Sequence, residues 1–309
     1  MIDFIIIGAG ISGLTAAKNI KEMGLGSVLV LEKSRGVGGR MATRRNFGTR
    51  FDHGAQFYRL KSEISKLHQI WTDQKINHQW FVSSIGNHWC GKDGMTALIK
   101  SLANNIDIQF EKQIQSIRYD NNCWTLVSNK NEEWTCLNLI FTAPLPQALL
   151  LLKDSAINIP SELSSIQYTK ALVLLMTLKQ KIQSSPQGYK EFIEDDFFSI
   201  SDQESKGVSS IPALTLTMSA DFSEENFDKS DEEISKKILD HFTLKYPESE
   251  ILDYELKKWR YCKATSTATS LFSEVRPGLF LIGDAFGGSS ILGSIRSSDA
   301  LINYFLEKE

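Results

Sequence analysis

The sequence predicts an α/β fold in which a strand–helix–strand domain is joined by a second, α+β domain built on an antiparallel sheet. Three observations carry this. Gly8-Ala9-Gly10-Ile11-Ser12-Gly13 stands between an isoleucine-rich run and a segment of helical periodicity. The next apolar run, Val28-Leu29-Val30-Leu31, ends in an acid, Glu32. Two apolar runs far downstream, Ala171 to Leu178 and Ala213 to Met218, have the composition and length of strands.

Residues 3–7 read as a buried strand, because a short β-branched run bounded by glycine fits a strand covered on both faces. Leu14, Ala17, Ile20 and Met23 then recur at helical spacing until Gly24 and Gly26 stop the helix. Each residue type has a task in that unit. Gly8 permits the tight turn, Gly10 lets the backbone approach a pyrophosphate, and Gly13 lets helix and strand pack closely. The helix N-terminus offers unpaired N–H groups to the anion. Glu32, 19 positions after Gly13, can accept hydrogen bonds from a ribose. An isolated GxGxxG is weak, but this one sits in the strand–turn–helix context that marks a Rossmann-type dinucleotide site.

A second glycine pair and an arginine follow in Glu32-Lys33-Ser34-Arg35-Gly36-Val37-Gly38-Gly39-Arg40. Here the sequence resembles the flavoprotein amine-oxidase superfamily, whose members carry an acid followed by a GG doublet and an arginine that contact FAD. The match continues through Gly39-Arg40-Met41-Ala42-Thr43-Arg44-Arg45 and Phe51-Asp52-His53-Gly54-Ala55-Gln56-Phe57-Tyr58. These segments resemble the renalase family, especially its bacterial branch, in which GRMxTRR is followed by DHGAQYF. Gly94-Met95-Thr96-Ala97-Leu98 is similar to that family's GMSAL helix start. Thr142-Ala143-Pro144-Leu145-Pro146-Gln147-Ala148 is similar to its second Rossmann-strand ending, and Trp259-Arg260-Tyr261 to its strand leading back to the cofactor domain. Near the C-terminus, Leu279 to Asp284 is a strand ending in Gly-Asp, followed by Phe286-Gly287-Gly288 and a final helix through Ala300, Leu301 and Phe305. In flavoproteins resembling this one the matching aspartate holds the ribityl chain, and a positive helix end there stabilises anionic reduced flavin.

The resemblance implies an amine-oxidase-like and p-hydroxybenzoate-hydroxylase-like architecture. Residues 1–58, 92–148 and 259–309 would form the FAD-binding domain, and 59–91 with 149–258 the substrate domain. It implies FAD contacted by Gly8, Gly10, Ile11, Ser12, Gly13, Glu32, Lys33, Gly39, Arg40, Thr43, Gln56, Phe57, Ile114, Gly283, Asp284, Ser294 and Ile295. The link is expected to be non-covalent, because no cysteine lies in the C-terminal flavin helix and the nearest histidine to the glycine doublet, His53, is inside a family motif. Gln56 and Phe57 would lie beside the isoalloxazine. Trp259 and Arg260 are candidates for the substrate side, although a core aromatic and a charge-balancing arginine are the simpler readings.

The implied reaction is oxidation of 2- and 6-dihydro isomers of NAD(P)H to NAD(P)+, with electrons passing through FAD to O2 to give H2O2. The partners are then a small-molecule dinucleotide and O2. A dihydropyridine that loses hydride becomes an aromatic cation without losing a proton at carbon, so no strong general base is needed. Accordingly, the sequence shows no Ser–His–Asp, paired-carboxylate or Cys–His constellation, and no catalytic residue is assigned. An amine oxidase, a polyene desaturase and a regulatory protein with structural FAD remain the alternatives. The chain departs from the family pattern at Leu292, where an acid is usual, at Ser298 for a glycine and at Thr217 for a histidine. These departures bear on substrate choice more than on FAD.

Further strands are expected at Ile106 to Phe110, Ile114 to Tyr119 and Trp124 to Val127, alternating as a crossover layer with a turn at Asn121-Asn122. Ser230 and Glu233 form a capping-box pattern ahead of Ile234, Ile238, Leu239 and Phe242. With 34 basic against 37 acidic residues among 309, the net charge of −3 argues against nucleic acid and a polybasic membrane anchor. The four cysteines lack a CxxC pair, the five histidines lack metal spacing, and no run nears the ~18 apolar residues of a membrane span. The apolar start lacks the basic flank and cleavage site of a leader. A cytoplasmic protein without a metal is expected.

Overall fold

A computed structural model describes residues 1–60 and 65–308. The chain divides into two compact units. The first comprises Met1–Gly39, Ile99–Gln167 and Ala264–Glu309; the second comprises Arg40–Leu98 and Tyr168–Lys263. Residues 40–58, 92–98 and 259–263 thus group with the second unit, and 149–167 with the first.

In the first unit, Ile2–Ile7 is the central strand of a parallel sheet, flanked by Glu133–Phe141 and Val28–Leu31. Ile5 and Ile6 are wholly enclosed, as a strand covered on both faces requires. Ile7 pairs with Phe141 on one side and Leu31 on the other, so three strands end at the same level. Leu279–Leu281 adds a fourth, with Phe141 opposite Leu281. The segments beyond these strands, Gly8, Glu32, Thr142 and Gly283, therefore emerge from one edge of the sheet, where open α/β sheets place ligands.

The helix Ile11–Met23 follows the glycine turn and ends at Gly24, whose left-handed φ of 72° suits glycine. The final helix Ile291–Leu306 packs against it through small residues. Ser12 Oγ donates to the Ser294 carbonyl at 3.4 Å, and Ser298 Oγ donates to the Ser12 carbonyl at 2.9 Å.

Of the three strands expected in one crossover layer, two form an antiparallel hairpin: Ile114–Asp120 pairs with Cys123–Ser128, which pairs in turn with Glu133–Phe141. Asn121 and Asn122 turn this hairpin with φ of 49° and 60°. The third, Asp107–Gln109, lies instead beside Val28–Leu31 in the parallel sheet. The long connection between residues 31 and 107 allows that parallel pairing, and the Glu32 N–H extends it by donating to the Gln109 carbonyl at 2.9 Å.

The second unit is built on a five-stranded antiparallel sheet in the order Tyr189–Glu191, Phe197–Asp202, Ala213–Met218, Tyr168–Leu178 and Ile251–Ala264. The Ala171 to Leu178 part of Tyr168–Leu178 is apolar but for Thr177 because both of its faces are covered. Leu172, Leu174, Met176 and Leu178 pack with Ile234, Ile238 and Phe242 of the helix Asp231–Lys245, while Ala171, Val173 and Leu175 pack with Phe51 and Trp259. The expected capping box is present at that helix: Ser230 accepts from the Glu233 N–H, and Glu233 accepts from the Ser230 N–H. The unit also holds the hairpin Thr43–Asn46/Thr49–Asp52 and a three-stranded sheet of Tyr58–Leu60, Gly86–Gly91 and Asn77–Ser83.

Candidate functional site

The edge of the parallel sheet in the first unit has the features of a dinucleotide cradle. The Gly8 N–H donates to the Leu31 carbonyl at 2.9 Å, and the Thr142 hydroxyl donates to the Ile7 and Gly8 carbonyls at 2.9 and 3.2 Å. Gly8 has φ of 110°, and a Cβ there would stand 2.6 Å from Thr142 Oγ1. At Gly13 a Cβ would stand 2.0 Å from the Gly8 carbonyl oxygen, so helix and turn touch backbone to backbone. Gly10 differs: among the described residues nothing lies within 4 Å of the position its Cβ would take. Packing among the described residues does not demand glycine here, which fits close approach by a ligand. Gly10 caps Ile11–Met23 without a side chain, so the first-turn N–H groups of Ile11, Ser12 and Gly13 face the helix's positive end.

Glu32 is buried, and its carboxylate accepts the N–H of Ala9 and of Ser34, each at 2.8 Å. Lys33 Nζ donates to Gln147 Oε1 at 3.3 Å, and the Gly38 N–H donates to the Ala9 carbonyl at 3.0 Å, folding the Gly38-Gly39 doublet onto the glycine turn. Gly39, with φ of 53°, would place a Cβ 3.7 Å from Gly10 Cα. Gly283 has φ of 130°, its N–H donates to Ser297 Oγ at 2.9 Å, and buried Asp284 begins the short helix Asp284–Gly287. Ser294 and Ile295 are buried in the first turns of the final helix, and Ile114 opens the strand paired with Cys123–Ser128. Glycine turn, acid and Gly-Asp strand end thus share one sheet edge. An open space at Gly10, a bare helix start and a buried ribose-type acid fit FAD.

The family-like segments of the second unit meet at Asp52. Its Oδ1 accepts from Thr43 Oγ1 at 2.5 Å and from the Met95 N–H at 2.8 Å; its Oδ2 accepts from Lys206 Nζ at 2.7 Å. The Thr43 hydroxyl also accepts the Thr96 N–H at 3.1 Å, and the Thr43 N–H donates to Thr96 Oγ1 at 2.6 Å. The TRR, DHG and GMT segments, scattered in sequence, are therefore one hydrogen-bonded knot. Gly94 completes it: a Cβ there would lie 2.5 Å from Thr43 Oγ1, and φ is 94°.

The Gln56 side chain is occupied within this knot. Its Nε2 donates to the carbonyls of Asp52 and Gly54 at 2.7 and 3.2 Å, and its Oε1 accepts from Gln203 and Lys206 at 3.0 and 3.2 Å. Phe57 stands edge-on to Phe81, His88 and Tyr189, with ring centroids 4.6–5.7 Å apart. Arg40 Nη1 donates to the Cys262 carbonyl at 3.2 Å, and its guanidinium lies 5.8 Å from the Tyr168 ring centroid. Trp259 Nε1 donates to the His53 carbonyl at 2.7 Å, its indole stacks on the His53 ring, and it packs against the sheet core. Arg260 lies 4.9 Å from the Phe227 ring centroid and 3.8 Å from Asp228. Enclosure of the His53 ring, reinforced by the Lys257 charge, depresses its pKa to about 4. Burial pushes the Cys90 and Cys136 thiols up to about 12, leaving both unreactive.

Sequence reasoning missed Gln203 and Lys206. Asp202 to Val208 has the composition of a solvated turn, and the turn itself is real: Asp202 Oδ1 accepts the N–H of Glu204 and Ser205. Only the partners 150 residues away reveal that Gln203 and Lys206 point inward. No local signal carries that.

Comparison with known proteins agrees with these features. Residues 6–72 match a family described as NAD(P)-binding Rossmann-like domain, and residues 62–299 match flavin containing amine oxidoreductase. A 1-hydroxycarotenoid 3,4-desaturase of Flavobacterium sp. (strain P99-3) is 37% identical over 90 residues, covering 29% of this chain and 18% of that protein. Polyamine oxidase 7 of Oryza sativa subsp. japonica is 41% identical over 68 residues, covering 22% and 14%. The chain thus aligns with less than a fifth of these relatives' length. The crystal structure of a putative protoporphyrinogen oxidase from Exiguobacterium sp. 255-15 superposes with a TM-score of 0.76 at 13% identity, over 99% of each chain, a likeness of fold.

Proposed function

The chain belongs to the flavin containing amine oxidoreductase family, and we propose that within it the chain is an FAD-dependent oxidase of misreduced dihydronicotinamide dinucleotides, the 2- and 6-dihydro isomers of NAD(P)H. Bound FAD would supply hydride acceptance and delivery of the electrons to O2. The chain's own residues bind and orient. Ile11, Ser12 and Gly13 present N–H groups to the pyrophosphate across the open face of Gly10, and Glu32 takes a ribose. Arg40 provides a charge-assisted contact to a phosphate.

The observation that supports this substrate class is the knot at Asp52, which binds together the three segments resembling the renalase family. The chemistry agrees with it. His53, in one of the segments that meet there, is enclosed with a depressed pKa, and burial raises that of the Cys90 thiol, so neither is poised as a strong base. Oxidation of a dihydropyridine needs none. The relatives that are a polyamine oxidase and a carotenoid desaturase favour amines or polyenes as the second reading.

Anaerobic mixing of the oxidised holoprotein with 2- and 6-dihydro-NAD(P), ordinary 4-dihydro-NAD(P)H, a panel of amines and a carotenoid tests this. Bleaching of the flavin band is expected with the 2- and 6-dihydro isomers. Bleaching by amines or the carotenoid alone would overturn the assignment, and no bleaching by any would favour a structural flavin.

A further inference from the structure

The second unit buries a lysine completely. Lys206 Nζ donates to Asp52 Oδ2 at 2.7 Å and Gln56 Oε1 at 3.2 Å, and lies 5.2 Å from the Trp80 ring centroid. Lysine is almost never fully enclosed, because its ammonium must shed water. Apolar side chains of similar volume often fill such a space without loss of stability, so stability alone does not account for the pair.

Its geometry has a direction. Lys206 has donors and no acceptor, so the oxygen of the Gln56 amide must face it, and Gln203 holds the same oxygen. The amide nitrogen is thereby aimed at the Asp52 and Gly54 carbonyls, clasping the loop between residues 52 and 56. With both lone pairs and both N–H groups engaged, Gln56 acts on this loop through its own amide. The loop in turn bears on Arg40. The Ala55 N–H donates to the Arg40 carbonyl at 2.8 Å, and a Cβ on Gly54 would stand 2.1 Å from that same oxygen. The space between them would not take even a methyl group, so a shift of the Gly54 backbone bears directly on the Arg40 carbonyl, and through that backbone on where the Arg40 side chain starts.

We propose that Lys206 is a positioning residue of the cofactor site, which fixes Gln56 and the Gly54-Ala55 backbone so that Arg40 is held in the orientation that binds an FAD phosphate. This rests on the FAD reading above. The effect of Lys206 passes through Gln56 and the Gly54-Ala55 backbone to Arg40.

A double-mutant cycle on FAD affinity separates this role from simple stabilisation. The full chain is stripped of flavin and titrated with FAD by fluorescence, with circular dichroism melting run alongside. Lys206→Met should weaken FAD binding about tenfold in the wild-type background and less than about twofold once Arg40 is already alanine. If the orphaned Asp52 prevents folding, Asp52→Asn/Lys206→Met removes both buried charges together and should show the same pattern. Unchanged affinity in the Lys206 variants, or a loss that adds fully to that of Arg40→Ala, would overturn the proposal. A wild-type chain that binds no FAD would instead overturn the cofactor reading beneath it.

Discussion

Glu32 Oε2 accepts the Ala9 N–H at 2.8 Å, so the acid at the end of the second strand holds the glycine turn from within. Its Oε1 accepts the Ser34 N–H at the same distance. Each carboxylate oxygen retains a second lone pair, which is what a ribose hydroxyl requires.

Glu32 therefore has two tasks that substitution can separate. Glu32→Ala removes both, and should cost about 1.5–3 kcal/mol of FAD binding together with a lowered melting temperature of the flavin-free protein. Glu32→Gln keeps one acceptor oxygen but turns an N–H₂ toward a backbone N–H. It should melt between wild type and alanine while binding FAD nearly as weakly as alanine. FAD titration and thermal melts of flavin-free protein measure the two effects; undiminished FAD affinity in both variants would remove Glu32 from the site.

Gly10 and Gly13 belong to one motif for different physical reasons. A methyl group at Gly13 would collide with the Gly8 carbonyl at 2.0 Å, whereas one at Gly10 meets nothing within 4 Å among the described residues. Gly13→Ala should therefore lose both fold and flavin, with destabilisation above about 2 kcal/mol. Gly10→Ala should melt like wild type and yet fail to retain FAD. Equal melting losses in the two would contradict the distinction.

His53 sets an acid limit on stability. Its pKa falls from 6.5 to about 4 in the folded chain, mainly because its ring is enclosed and secondarily because of the Lys257 charge, with Asp52 opposing. A base with a depressed folded-state pKa binds fewer protons folded than unfolded. Its contribution is then complete above pH 6.5 and is lost as the pH falls toward about 4. The loss is on the order of 3 kcal/mol. Denaturant melts of wild type and His53→Gln between pH 7 and 4 should differ in slope, wild type losing stability faster. Parallel curves would show that His53 does not titrate in that window.

The division of legibility follows locality. The glycine turn, the Ile11–Met23 helix and the Ser230–Glu233 capping box are written in neighbouring residues, and the structure has them where their patterns place them. Asp107–Gln109 went to a different sheet position because three residues carry no record of their partner strand. The knot at Asp52 was half legible. Its Thr43, Asp52 and Met95 members sit in segments that stand out as motifs, while Gln203 and Lys206 have the composition of an exposed turn. Distant pairing decided their burial, and composition does not encode it.

The final helix and two of the four cysteines bear on how flavin is attached. Cys90 and Cys136 are buried with raised pKa values, and no cysteine lies in the final helix Ile291–Leu306. A non-covalent link is expected. Trichloroacetic acid should therefore leave a colourless pellet and a yellow supernatant; a yellow pellet would require a covalent bond.

Ser298 tests whether departure from the family pattern alters packing or substrate choice. It is fully buried, and its hydroxyl lies 2.9 Å from the Ser12 carbonyl and 3.0 Å from the Ser294 carbonyl. Only one proton is available, so the two carbonyls share it. In either orientation the hydroxyl sits at the contact between the final helix and the helix that follows the glycine turn. Ser298→Gly restores the family residue but deletes this link and adds a flexible position to a helix interior. Those changes should lower stability by about 1–2 kcal/mol. FAD retention and the order of substrates in the anaerobic panel should stay as in wild type, because the side chain is spent on backbone. A changed substrate order at unchanged stability would mean that the serine acts on the substrate and not on helix packing.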